Sequence, residues 1–201
     1  QGVVYFKGTD VTCQPDAIIF CTGYDYAFPF DVGNLLEFPK GDRRVSPLYE
    51  QLWHARYPNL AIIGLPHSVI PFPLFEFQAQ AVWASWQNPE LLPDLKARLE
   101  HDRRSMGGEG KENGRIQDTH FLGDAQWEYC RRMAKFAGVW NESAENFIHV
   151  NQMLYEHSSA QRKGAFTAGP DVYREVCYER HDDSMISYPN AEAKQAGLTK
   201  V

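Results

Sequence analysis

The 201-residue chain contains no G-x-G-x-x-G, the glycine fingerprint with which a strand–helix turn cradles a dinucleotide pyrophosphate. It has no phosphate loop of the Walker type either. In 105–114, a glycine-rich polar stretch, Lys111 is followed by Glu112, and Ser105 rather than glycine stands five places before Gly110. Its four cysteines (Cys13, Cys21, Cys130, Cys177) include no C-x-x-C pair, which argues against a zinc site or redox pair and for a reducing compartment. Basic charge is in deficit, with a net charge of -6, where a nucleic-acid binder carries a basic face. No apolar run approaches the length of a membrane-spanning helix. The histidines are scattered without metal-ligand spacing. No Ser/His/Asp spacing, H-E-x-x-H or paired-carboxylate pattern appears, and there is no internal repeat and no signal-like leader. Asn141-Glu142-Ser143 is a glycosylation triplet by pattern alone.

What is present suits a packed domain, or one and a half: 43% of residues are hydrophobic and 13% aromatic. The centre of the reading is the apolar run 17–21, which ends abruptly in Thr22-Gly23-Tyr24. It is too short for an ordinary helix and polar on both sides, so it reads as a buried strand of a sheet covered on both faces. Ligands of such sheets collect beyond the carboxyl ends of strands, and a glycine there admits close approach to the backbone. Before it, 3–6 and 11–14 read as two strands around a turn at 7–10. Residues 25–47 are loop-like. A second buried strand is expected at 60–63, ended by Gly64 and Pro66. Two strands closing on glycine imply a sheet with one ligand-facing edge.

Helices follow. Pro73 suits a first helical turn, and 74–86 reads as a helix with Phe75, Ala79, Val82 and Trp86 on one face, broadened by Ala81, Ala84 and Trp83 for close packing, and stopped by Asn88-Pro89. Leu91, Leu95 and Leu99 mark an amphipathic helix over 93–104. Residues 105–114 read as a flexible linker. Asp124 is placed to cap a helix that ends at Gly138, with Trp127, Cys130, Ala134 and Ala137 inward. Ser143 is placed to cap another, with Phe147, Val150 and Leu154 on one face. A short helix is expected at 170–179 and loose order over the last dozen residues.

Several of these stretches resemble one family. Asp16-x-Ile18-Ile19-Phe20-Cys21-Thr22-Gly23-Tyr24 is similar to the A-T-G-Y segment of the flavin-containing monooxygenases, with Cys21 where alanine is usual. Residues 4–9 resemble the V-x-F-x-G-T step before it, and Pro58-Asn59-Leu60 through Gly64 resembles a strand that ends against the flavin. The stretch 71–81, Pro-Phe-Pro-Leu-Phe-Glu-Phe-Gln-Ala-Gln-Ala, is the most specific match, to the family's C-terminal helix. His120-x-x-Gly123 before a Tyr129-bearing helix resembles its tail. The family's glycine fingerprints and its identifying F-x-G-x-x-x-H segment are missing. The chain also begins Gln1-Gly2 without Met, so it reads as the C-terminal portion of a longer enzyme, although an engineered or processed chain would also start this way.

The resemblance implies an α/β fold: flavin-domain strands and a closing helix of a two-dinucleotide-binding flavoprotein over 1–104, the linker 105–114, and a mostly helical tail over 115–201. It implies FAD and NADPH in the intact parent, with Thr22, Gly23, Tyr24, Gly64, Leu65, Pro66, His67 and Gln78 at or near the cofactors and no catalytic side chain required. Gln80 is the surface-facing alternative to Gln78. Reduced flavin of this family holds oxygen as a C4a-hydroperoxide, which a soft nitrogen or sulfur nucleophile attacks. The expected partners are thus a small soft nucleophile, O2 and the remainder of the same protein. The expected location is cytoplasmic or membrane-associated on the cytosolic side. The isolated piece is expected to be inactive. An N-hydroxylase or Baeyer–Villiger oxygenase of the same class, or a non-catalytic interaction module derived from the fold, are the rival readings.

Overall fold

A computed structural model of the chain describes residues 2–21, 23, 26–30, 33–38, 44–106, 119–168 and 176–188. Among these, three antiparallel two-stranded ladders accompany four α-helices. The ladder β1 (Val4–Tyr5) with β2 (Thr12–Cys13) is the expected hairpin, with Val4 opposite Cys13. The ladder β3 (Leu48–Tyr49) with β4 (Trp53–His54) places Tyr49 opposite Trp53. The ladder β5 (Cys177–Arg180) with β6 (Met185–Tyr188) stands where a helix over 170–179 was expected. Residues 171–175 and the last dozen lie outside the described residues.

The two buried strands read from the sequence do not form. Residues 17–21 belong to no strand or helix, and their apolar side chains face solvent: Ile19 is 85% and Phe20 81% exposed. The run has strand composition, but no described strand lies beside it to complete a ladder. At 60–63 a single antiparallel bridge, Ala61 to Trp53, replaces a strand, with the Ile62 amide donating to the Leu52 carbonyl at 2.8 Å.

Helix α1 (Pro71–Gln87) starts where Pro71 and Pro73 occupy positions whose amides have no helical acceptor. It stops at Asn88, which is extended before Pro89 and whose Oδ1 accepts from the Glu90 amide at 3.2 Å. Its buried face is Leu74, Phe77, Gln78, Ala81, Val82 and Ser85. The stripe expected inward is therefore corrected in part: Ala81 and Val82 are buried, Phe75 and Ala84 half-buried, and Ala79, Trp83 and Trp86 are exposed. Apolar side chains cover most of this helix's circumference, so periodicity did not choose between two stripes. Docking chose one and left Phe72, Trp83 and Trp86 outside.

Helix α2 (Leu95–Met106) includes Ser105 and Met106 of the stretch read as linker; 107–114 lie outside the described residues. Its leucines do not carry the docking. The Asp102 carboxylate accepts from the Leu48 amide at 2.8 Å and from the Ser46 hydroxyl at 3.3 Å, and Arg98 Nε donates to the Ala55 carbonyl at 2.8 Å. A helix covering the edge of β3 has to answer backbone polar groups, and leucine has nothing to answer them with.

Helix α3 (Gln126–Phe136) follows a short 3-10 turn that contains Asp124, so Asp124 is not the cap. It buries Trp127, Tyr129, Cys130, Met133 and Ala134. At its end Gly138, at φ +72°, donates to Lys135 and Val139 donates to Ala134, the paired bonds of a Schellman stop. Helix α4 (Glu142–Ala168) is capped by Asn141 rather than Ser143: the Asn141 side chain accepts from the Ala144 amide at 2.9 Å. Arg131 forks onto Glu145 at 2.8–3.1 Å and ties α3 to α4.

One core joins these pieces. Leu52 and Trp53 of the β3–β4 hairpin meet Leu74, Phe77 and Ala81 of α1, Cys130 and Met133 of α3, and Ile148 of α4. The segments before and after 105–114 thus share a single interior. A smaller cluster of Leu36, Val45, Leu48 and Leu65 lies under the loops.

Candidate functional site

The loop between residues 60–63 and α1 is held from three sides. Gly64 sits at φ +86°, a conformation glycine enters freely and other residues do not. Its amide donates to Gln78 Oε1 at 2.9 Å. The Phe75 ring lies so close that a Cβ at Gly64 would fall 3.0 Å from its tip. Leu65 and Pro66 are buried. The exposed His67 is fixed by its backbone, donating to the His120 carbonyl at 2.9 Å and accepting from the Leu122 amide at 3.2 Å, with its ring edge-on to Phe121.

Behind the loop runs a buried polar chain. Gln78 Nε2 donates to the Tyr129 hydroxyl at 2.9 Å, and that hydroxyl donates to the Glu50 carbonyl at 2.8 Å. Glu50 and Gln51 form the β3–β4 turn with φ +51° and +54°, a left-handed pair that hairpins ordinarily fill with Asn-Gly. Side chains compensate for the absent glycine. The Glu50 carboxylate meets Arg132 at 3.0 Å and His101 at 3.3 Å. Burial works to raise the Glu50 carboxyl, but the His101 hydrogen bond and Arg132 outweigh it and hold it below its ordinary range. Gln51 Oε1 lies 3.2 Å from His120 Nδ1, and His120 Nε2 accepts from the Val45 amide at 3.0 Å. Nδ1 is therefore the protonated nitrogen. Burial, with the nearby charges of His67 and Arg44, pushes the His120 pKa down to about 4. Burial also raises the Tyr129 hydroxyl.

Of the residues expected at the site, the structure brings Gly64, Leu65, Pro66, His67 and Gln78 together. Both ends of the Gln78 amide are committed inside the protein, so its nearest service to a ligand runs through Gly64. Gly23, at φ +84°, is exposed on the unpaired segment; Thr22 and Tyr24 lie outside the described residues. Gln80 Nε2 donates to the Glu76 carboxylate one turn earlier in α1, at 3.4 Å. Sequence reasoning did not reach Tyr129, Glu50 or Gln51 as part of this frame, because their partners lie 51 to 79 positions away.

The arrangement offers a rigid loop edge and no nucleophile–base pair. Among the described residues no group of His, Cys, Asp and Glu could hold a metal, and no helix is long and apolar enough to cross a membrane. A separate open cleft of about 550 Å³ lies between the start of α4 and the β5–β6 turn, lined by Glu142, Phe147, Arg180 and Asp182 among others. None of the loop residues lines it.

No family model matches the chain. It is 36% identical over 172 residues to flavin-containing monooxygenase FMO GS-OX-like 2 of Arabidopsis thaliana, covering 81% of this chain and 36% of that protein. It is 33% identical over 191 residues to flavin-containing monooxygenase FMO GS-OX3 of the same plant, covering 92% and 37%. Among solved structures, S-allyl-L-cysteine S-oxygenase from Allium sativum superposes with a TM-score of 0.63 at 26% identity, over 92% of this chain and 39% of that one. The chain thus spans a little over a third of the length of these proteins.

Proposed function

Because this chain belongs to the flavin-containing monooxygenase family, we propose that it is the C-terminal portion of an NADPH-using flavin monooxygenase that oxygenates a soft nucleophile, sulfur or nitrogen. The observation that carries the reading is the likeness to an S-oxygenase over 92% of the chain, and it makes thioether sulfur the first substrate class to try.

The residues present fit one wall of a flavin site. Gly64 through His67 form a loop whose backbone is locked by Gln78 and by the 120–122 segment, with His67 outward. Such a loop can face a planar ring without rearranging, and preorganisation of this kind is what a protein contributes to cofactor chemistry. Gly64, Leu65, Pro66 and His67 would line the flavin, with Gln78 holding the Gly64 amide, and Thr22, Gly23 and Tyr24 would lie toward the nicotinamide cofactor. When bound, FAD reduced by NADPH supplies the oxygen activation. The pyrophosphate cradle has to come from outside this chain, which has no G-x-G-x-x-G. Two uncovered apolar surfaces support that division: Ile18, Ile19 and Phe20 on the unpaired segment, and Phe72, Trp83 and Trp86 on α1. Apolar side chains clustered in solvent mark places where further protein is meant to pack.

The test has two arms. The purified 201-residue chain should retain no stoichiometric flavin band near about 450 nm. The gene product that carries it should bind flavin and consume NADPH and O2 in proportion to an added thioether. A gene product that binds no flavin ends the reading; a flavin band on the 201-residue chain ends the division of labour.

A further inference from the structure

We propose that Tyr129 is a positioning residue: from the tail helix α3, through Gln78, it sets the orientation of the Gly64 amide and so the pose of the candidate cofactor loop. This deepens the reading above and rests on it for what the loop faces; the relay itself rests on geometry.

The polarity of the relay is fixed at both ends. The Gly64 amide can only donate, so the Gln78 atom 2.9 Å from it is the oxygen. That turns Nε2 toward Tyr129 at 2.9 Å, where the phenol oxygen must accept. The phenol proton is then free for one partner, the Glu50 carbonyl at 2.8 Å, which can only accept. A flip of the Gln78 amide would set N–H against N–H at Gly64, so the chain has one arrangement. Gln78 and Tyr129 are both buried, and no solvent competes for their bonds. The far end is anchored as well. The Glu50 carbonyl belongs to the left-handed turn, and Arg132, one helical turn after Tyr129, holds the carboxylate of the same residue. One helix thus grips the turn by its backbone and its side chain while presenting the phenol to Gln78. Removing the phenol oxygen leaves the Gln78 N–H without its acceptor and releases the amide that orients Gly64.

The experiment uses the 201-residue chain, with amide hydrogen exchange read by NMR at Gly64 and, as a reference for global opening, at Met133 in α3. Ser85→Ala is the control: it removes a core hydrogen bond, Trp53 Nε1 to Ser85 Oγ at 3.0 Å, that is not part of the relay. Tyr129→Phe should accelerate exchange at Gly64 by about tenfold more than at Met133, and Ser85→Ala should accelerate both alike. Gln78→Met, which removes the acceptor itself, should act at least as strongly, and Tyr129→Phe added to Gln78→Met, an apolar pair that leaves no buried amide unpaired, should accelerate Gly64 no further; additional selective acceleration in the double variant would mean that Tyr129 does not act through Gln78. Equal acceleration at Gly64 and Met133 in the relay variants overturns the proposal. Flavin retention by the gene product is measured separately. Selective exchange at Gly64 with flavin binding untouched would keep the relay and remove the cofactor from the loop.

Discussion

Substituting Gly64 by alanine tests the loop most directly, because the structure supplies both parts of the cost. At φ +86° an L-residue pays roughly 1–2 kcal/mol for the left-handed conformation. The new Cβ would also lie 3.0, 3.1 and 3.5 Å from three carbons of the Phe75 ring. That ring is half-buried and can retreat by a few tenths of an ångström, so overpacking adds about 1 kcal/mol, the low end for inserting a methyl into a packed site. Against this, alanine lowers the entropy of the unfolded chain by about 0.4–1 kcal/mol. The net expectation is a loss of about 1–2.5 kcal/mol, or roughly 2–10 °C in Tm for a domain of this size. Urea denaturation followed by tryptophan fluorescence measures it, Trp53 being a fully buried reporter. The steric part is isolated by repeating Gly64→Ala in a Phe75→Leu background, where the penalty should shrink while the backbone part remains. An unchanged urea midpoint with an unchanged slope would mean that the loop is neither strained nor closely packed, and the picture of a locked edge would fall with it.

Two further outcomes follow from buried titratable groups. His120 is neutral in the fold, its pKa about 4 against about 6.5 when unfolded; its contribution is whole above the unfolded value and is lost as pH falls from 6.5 through 4. Stability should drop by about 3 kcal/mol across that window, and His120→Gln should flatten this part of the profile; parallel profiles would contradict the burial assigned to His120. Burial raises the Cys130 thiol to about 12, so at pH 8 a thiol reagent mapped by mass spectrometry should label the exposed Cys13 and Cys21 at once and Cys130 only on unfolding, whereas prompt labelling of Cys130 would refute its place in the core.

Local covalent constraints were legible in the sequence. The hairpin around 7–10, the start of α1 at its prolines, its end at Asn88-Pro89 and the stop at Gly138 all follow from dihedral freedom within a few residues. So did the turn at Gly64 and the motifs that place the chain in its family, because both are written in contiguous residues. The tertiary structure decided what depends on a partner. Whether 17–21 forms a strand depends on a neighbour to accept its hydrogen bonds, and none is described beside it. Which stripe of α1 turns inward was settled by α3, since both stripes are apolar. Helix α2 docks through Asp102 and Arg98 rather than its leucines, because the β3 edge presents unpaired backbone groups that no spacing rule reveals. The frame of the loop is of the same kind. Gln78 and Tyr129 lie in family-like stretches, but no local pattern joins them to Glu50; the three became one hydrogen-bonded chain only when folding buried Gln78 and Tyr129 and left their polar atoms to find partners 51 and 79 positions away.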